Sequence, residues 1–114
     1  MREFLWSEEM ADACVFLMEK VDFQDAIKNN PTTNSEIRNS HINIGTGIEI
    51  SIRDLAQLIK SKVGFTGELV FNTSKPDGTM RKLTDPSKLH SLGWHHQIEI
   101  GEGIEKLLNW YLNR

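Results

Sequence analysis

The sequence predicts a small α/β unit, in detail an α+β arrangement, on three observations. Residues 8–21, 52–63 and 102–113 carry apolar positions at helical spacing. Short extended patterns lie between them, at residues 2–6, 41–44, 49–51, 68–71 and 97–100. Turn-forming clusters, Asn29-Asn30-Pro31, Gly45-Thr46-Gly47 and Pro76-Asp77-Gly78, punctuate the patterns. The resulting order is β-α, loop, β-β-α, β, turn, α, β, α, which 114 residues can close around one core as a single domain, 1–114.

Arg2-Glu3-Phe4-Leu5-Trp6 reads as a strand that begins at once, with no leader pattern before it. Ser7 is the expected N-cap of the first helix, with Glu8 and Glu9 in the first turn, where the helix dipole favours carboxylates. Met10, Ala13, Cys14, Leu17, Met18 and Val21 form one stripe, yet Val15 and Phe16 are apolar on the other side. Such a helix is expected to be covered on both faces, in part by something outside this chain. Residues 22–40 form a polar connection, with a short helical turn at residues 25–28.

Residues 41–44 alternate like a strand and run into Gly45-Thr46-Gly47, after which Glu49-Ile50-Ser51 is again extended. Ser51 and Asp54 resemble a capping box at the start of a helix that presents Ile52, Leu55, Ala56, Ile59 and Val63 on one face and stops at Gly64. Residues 68–71 form a short strand leading into Lys75-Pro76-Asp77-Gly78-Thr79-Met80-Arg81-Lys82. Pro76 fixes φ, Asp77 can bond its own backbone and Gly78 accepts positive φ, so this segment is expected to turn sharply and lie exposed. Asp85 and Pro86 read as N-cap and first helical residue of a short helix closed by Gly93. A strand-like piece at 97–100 precedes the last helix, whose Ile104, Leu107, Leu108 and Tyr111 form one packed face.

Charge and composition bound the function. A formal net charge of -3 gives no general attraction to nucleic acid or anionic membrane, and no apolar run reaches membrane-spanning length. Any anion site must therefore be local. Lys75, Arg81, Lys82 and Lys88 outnumber Asp77 and Asp85 between residues 75 and 88, leaving that stretch at +2. A lone cysteine, Cys14, permits no intramolecular disulfide and fits a reducing, cytoplasmic location; its apolar helical setting favours packing.

Several familiar chemistries find no support. Gly45-Thr46-Gly47 lacks the third glycine of a dinucleotide fingerprint, since Ile50 stands there, and reads as a tight turn. His41, His90, His95 and His96 have no metal-ligand spacing, and His95-His96 reads as the wet end of a turn. The one tyrosine, Tyr111, has no lysine four residues on. What survives is an anion clamp built from Arg81, Lys82 and Arg2, able to hold a phosphate by charge-assisted hydrogen bonds. A merely solvated charged loop is the competing reading.

Arg2-Glu3-Phe4-Leu5 with Met10-Ala11-Asp12-Ala13, His41-Ile42-Asn43-Ile44-Gly45-Thr46-Gly47, Ile52-Arg53-Asp54-Leu55-Ala56, Lys75-Pro76-Asp77-Gly78-Thr79 with Arg81-Lys82-Leu83, and Leu92-Gly93-Trp94 together resemble the GDP-L-fucose synthases. The resemblance is collinear over essentially the whole chain. That family belongs to the extended short-chain dehydrogenases and converts GDP-4-keto-6-deoxy-mannose to GDP-L-fucose by epimerisation and NADPH-dependent reduction. Only its C-terminal part, the sugar-nucleotide-binding domain without most of the Rossmann domain, is matched. The resemblance implies that Arg2 and Lys82 face the GDP diphosphate, that Asp77 hydrogen-bonds the sugar nucleotide, and that Arg81 lies beside them. It departs from the family at Met80, where a proline is usual, and at Ser7-Glu8, where Val-Asp is usual; the first change loosens the loop.

The resemblance further implies that the glycine fingerprint and the catalytic Ser, Tyr and Lys lie outside this sequence. The chain alone is therefore expected to bind no NADP(H) and to be inactive. Its expected partner is a GDP-sugar, with no nucleic acid and no membrane, and self-association is expected through the face a missing Rossmann domain would leave. Two alternatives stay open: a non-catalytic protein-interaction domain, and the matching portion of a related nucleotide-sugar epimerase or dehydratase.

Overall fold

The computed structural model describes residues 1–27 and 39–114. Its elements are β1 (Arg2–Glu3), α1 (Ser7–Lys20), α2 (Phe23–Ile27), β2 (Glu49–Ile50), α3 (Ile52–Val63), α4 (Ser87–Ser91) and α5 (Ile100–Leu112). β1 and β2 pair antiparallel, Arg2 opposite Ile50 and Glu3 opposite Glu49. This is the expected small mixed helix and strand unit, with far less strand than the patterns suggest.

Local signals held best where a side chain caps a helix. Ser51 Oγ accepts the Asp54 amide at 3.0 Å and donates to the Asp54 carboxylate at 2.7 Å, and Gly64 ends α3 in the left-handed region at φ 69°. α2 forms because Asp22 and Asp25 cap each other, each carboxylate accepting the other's amide at 3.0 Å. That places it at Phe23–Ile27; the expected turn at 25–28 and the rest of the polar connection run beyond the described residues. At α1 the expectation needs correction: Trp6 occupies the N-cap position with no side-chain cap, and Ser7 is the first helical residue. α4 begins at Ser87 instead of Pro86, although Asp85 still caps it by accepting the Ser87 amide at 3.0 Å. α5 starts at Ile100, two residues earlier than its apolar stripe suggests.

Three expected strands are absent among the described residues. Alternation reports one-sided burial, whereas a strand also needs a neighbour for its backbone. Along residues 41–44, Ile42 and Ile44 do pack inward, but Asn43 uses its amide side chain to hold the Asp85 carbonyl at 3.2 Å and no ladder forms. Residues 68–71 leave Val70 exposed, and Phe71 lies under the Arg53 guanidinium, 5.1 Å from the ring centre. At 97–98 the amides of Gln97 and Ile98 both donate to one Glu9 carboxylate oxygen, which takes the place of a partner strand.

The core is small. Ala13, Leu89 and Trp94 are buried together, with Leu5, Phe16, Leu17, Ile42 and Ile44 packed around them, and the Trp94 indole donates to Asp12 at 2.9 Å. α3 lies against α5, tied by Lys62 and Glu105. The two faces of α1 fare differently: Ala13, Phe16 and Leu17 turn inward, while Val15 is 51% and Met18 84% exposed. Cys14 is exposed, contrary to the packing expected of it, because it falls on this outer side. The last helix likewise has no fully packed face, with Leu107 and Tyr111 more than half exposed.

The accessible surface is 8790 Å² for 13.1 kDa, where a compact monomer of that mass exposes about 6400 Å². The radius of gyration is 18.3 Å, against about 13 Å for a compact domain of this length.

Candidate functional site

β1 is the strip on which the site is built. One edge pairs with β2, and on the other Arg2 forms an isolated parallel bridge with Lys82. Two basic residues far apart in the sequence thereby become neighbours. The Arg2 guanidinium is fixed by donating from Nη1 to the carbonyls of Thr79 at 2.7 Å and Met1 at 2.8 Å. A guanidinium carries five N–H donors in a rigid fork, so this anchoring leaves others to face an anion.

The turn itself differs from expectation in an informative way. The backbone reverses at Asn72–Lys75, where Asn72 accepts from the Ser74 amide and hydroxyl at 3.0 and 2.6 Å. Gly78 does not adopt positive φ. Its lack of a side chain serves a neighbour instead, since a Cβ there would stand 3.3 Å from Arg2 Nη2. Gly78 thus makes room for the guanidinium that the Thr79 carbonyl holds.

The four residues expected at the site are not equivalent. Arg2 and Lys82 are brought together, and no described residue pairs with the exposed Lys82 ammonium. Arg81 is adjacent in sequence but engaged elsewhere, donating from Nε to Glu49 at 2.8 Å. Asp77 stands on the exposed turn two residues before Thr79, with no partner for its carboxylate among the described residues. Asp85, downstream, has its carboxyl held below the ordinary carboxylate range by hydrogen bonds from the Ser87 amide and then the Ser87 hydroxyl.

Two residues at this site escape a reading of the sequence. Glu3 Oε1 accepts from the Thr84 hydroxyl at 2.7 Å, while Glu3 Oε2 accepts from the amides of Gly47 at 3.2 Å and Thr84 at 3.3 Å. Gly45-Thr46-Gly47 is the tight turn expected, with Gly47 at φ 74° and Thr46 bonding across it to Ile48. The only signal of its purpose was the pair of glycines flanking a small residue. Nothing local connects it to Glu3 or Thr84.

The basic rim is open surface. A cavity of about 670 Å³, lined by Trp6, Glu9, Asp12, Trp94 and His95 among others, contains neither Arg2 nor Lys82. An apolar groove of about 240 Å³ between residues 4–6, α3 and α5 contains neither as well. Cations on an open rim can grip a diphosphate from one side, and enclosure needs a second wall. Among the described residues no group of His, Cys, Asp and Glu could hold a metal ion, and no helix is long and apolar enough to cross a membrane.

No family model matches the chain. Individual proteins do. GDP-L-fucose synthase from Escherichia coli K12 is 44% identical over 98% of this chain and 33% of its own length. Among solved structures, a GDP-6-OMe-4-keto-L-xylo-heptose reductase from C. jejuni is 50% identical with a TM-score of 0.85, over 98% of this chain and 31% of that one. A GDP-D-glycero-L-gluco-heptose synthase from Campylobacter jejuni, solved in the presence of NADPH, is 48% identical with a TM-score of 0.84, over 97% and 30%. The chain therefore spans about a third of the length of the proteins it matches.

Proposed function

The chain is a homologue of the C-terminal portion of the GDP-L-fucose synthases and kindred GDP-sugar reductases of the extended short-chain dehydrogenase family, and from that premise we propose that it is the part that grips the GDP-sugar. The carrying observation is the bridge that sets Lys82 beside an anchored Arg2 on an open rim. In this reading the two cations hold the diphosphate, Asp77 accepts a hydroxyl of the sugar nucleotide, and Arg81 supports the rim through Glu49.

The residues present do not fit a dinucleotide cofactor. The Gly47 amide, which a phosphate-binding turn would offer, is taken by Glu3, and α3 starts only at Ile52. No hydride step is therefore assigned to this chain. Reduction and epimerisation belong to a full-length enzyme whose NADP(H)-binding region supplies the second wall of the site, and this chain alone is inactive. A cytoplasmic setting belongs to the same reading, supported by the lone Cys14.

The sugar is the open choice within the class. The fucose reading rests on collinear motifs, and the 50% identity to a GDP-heptose reductase favours a heptose as the second reading. Titration with GDP, UDP, GDP-L-fucose and a GDP-heptose tests both: guanosine ligands bind in preference to UDP, and the tighter sugar identifies the substrate. Equal binding of UDP contradicts the proposal.

Self-association is part of the proposal, because the outer side of α1 leaves Met10, Val15 and Met18 bare. Sedimentation velocity is expected to show dimers or larger species that Met18→Glu disperses. A monodisperse monomer at high concentration contradicts it.

A further inference from the structure

We infer that Glu3 is a positioning residue of the diphosphate clamp: its carboxylate fixes the segment carrying Lys82 to the strand carrying Arg2. The inference rests on the functional reading above and goes beyond it, since neither Glu3 nor Thr84 contacts the proposed ligand. Successive residues of a strand point to opposite faces, so when Arg2 faces the ligand Glu3 faces away from it. On that hidden side Glu3 ties two separate segments to its own strand. Its Oε1 accepts the Thr84 hydroxyl at 2.7 Å, and its Oε2 accepts the Thr84 amide at 3.3 Å and the Gly47 amide at 3.2 Å. Thr84 lies two residues past Lys82.

Without these bonds, the segment carrying Lys82 is held to β1 only at or before Lys82 itself, by the Lys82 amide to the Met1 carbonyl at 3.4 Å, the terminal ammonium to the Met80 carbonyl at 2.8 Å and Arg2 Nη1 to the Thr79 carbonyl at 2.7 Å. Residues 72–83 are all exposed, so little packing holds the segment in place. Glu3 supplies the charge-assisted tie on the far side of Lys82, through the Thr84 amide and hydroxyl. The surroundings are shaped for that tie. Gly45 is buried, and a Cβ on it would meet the Glu3 carboxylate and the Thr84 hydroxyl. The glycine turn that resembles a phosphate loop thus receives a carboxylate of the protein itself.

The test is a set of GDP titrations of the 114-residue chain, followed by amide chemical shifts, with circular dichroism confirming that each variant is folded. Glu3→Gln keeps the shape and an acceptor oxygen for the Gly47 and Thr84 amides but removes the charge that strengthens those bonds. It is expected to weaken GDP binding about tenfold, the effect of losing one charge-assisted bond's worth of placement. Thr84→Val weakens binding in the same direction, and Thr84→Ser, which keeps both donors, restores it. In an Arg2→Ala background the Glu3→Gln effect shrinks to under about twofold, because a residue acting through Arg2 has little left to position. A folded Glu3→Gln with unchanged affinity overturns the inference, and so does a loss that adds in full to that of Arg2→Ala. If Glu3→Gln does not fold, the Thr84→Val and Thr84→Ser pair decides on the same criteria. Failure of the functional reading looks different: the unmodified chain gives no GDP response at all, and the positioning role falls with the site.

Discussion

Replacing Gly45 by alanine adds one methyl group at a buried, crowded point of the molecule. The new Cβ meets the Glu3 carboxylate and the Thr84 hydroxyl at once, and both are held where they stand by their bond to each other and by the Gly47 amide on Glu3. Either the Glu3 to Thr84 bond opens or the turn at 45–47 shifts. Losing a hydrogen bond to a charged group costs about 1.5 to 3 kcal/mol. Forcing a methyl group into a filled site costs about 1 to 3 kcal/mol when the backbone moves instead. Since one response relieves the other, the expected loss is about 2 to 3 kcal/mol and not the sum. With a urea slope of about 1 to 3 kcal/mol per molar for a small domain, the unfolding midpoint falls by about 1 to 2 M. Gly64→Ala supplies the contrast: nothing lies near its Cβ, and its only cost is positive φ, about 1 kcal/mol. A Gly45→Ala midpoint within 0.3 M of the parent's, an order-of-magnitude threshold, refutes the crowding argument.

Other expectations follow from the same geometry. Leu89→Ala opens a hole beside Ala13 and Trp94 in a core of few members, and should cost about 2 to 5 kcal/mol by urea unfolding; under 1 kcal/mol, roughly, denies that this cluster is the core. Ser51→Ala removes the cap of α3 and should cost about 1 kcal/mol, with Ser51→Thr, which keeps the hydroxyl, close to the parent. Arg81→Ala should weaken GDP binding only about twofold, since Arg81 is engaged with the largely covered Glu49, whereas Lys82→Ala should weaken it about ten- to a hundredfold; the reverse ranking in a titration would exchange their roles. His90 is pushed below its ordinary value of 6.5 by desolvation, then by the nearby His95 and His96. The unfolded chain then binds the proton more readily, so the His90 contribution is present above pH 6.5 and is lost as pH falls through its lower folded value. Thermal melts from pH 7 to pH 5, an illustrative range, should show falling stability that His90→Gln flattens; an unchanged slope removes His90 as the cause.

Both ends of α3 were legible because their signals are local. Ser51, Asp54 and Gly64 act within a few residues of one another, and the physics that reads them needs no tertiary knowledge. The strands at 41–44, 68–71 and 97–100 were not, because alternation does not say what lies alongside. At 97–98 the backbone partner is a Glu9 side chain from α1. The anion clamp was half legible. Residues 75–82 announced an exposed basic turn and the motif placed Arg2 with it, but the bridge joining Arg2 to Lys82 spans most of the chain. Gly78 was expected to supply positive φ, and it makes room for a guanidinium instead; both uses demand the same residue type.

The central claim is that Lys82 and the anchored Arg2 form a clamp for the diphosphate of a GDP-sugar. An NMR titration of the chain with GDP-L-fucose, repeated on Lys82→Ala, tests it most directly. The account predicts saturable shifts confined to residues near Arg2 and 78–82, weakened about ten- to a hundredfold in the variant. Shifts that leave those residues untouched, or that persist at full strength in Lys82→Ala, would contradict it.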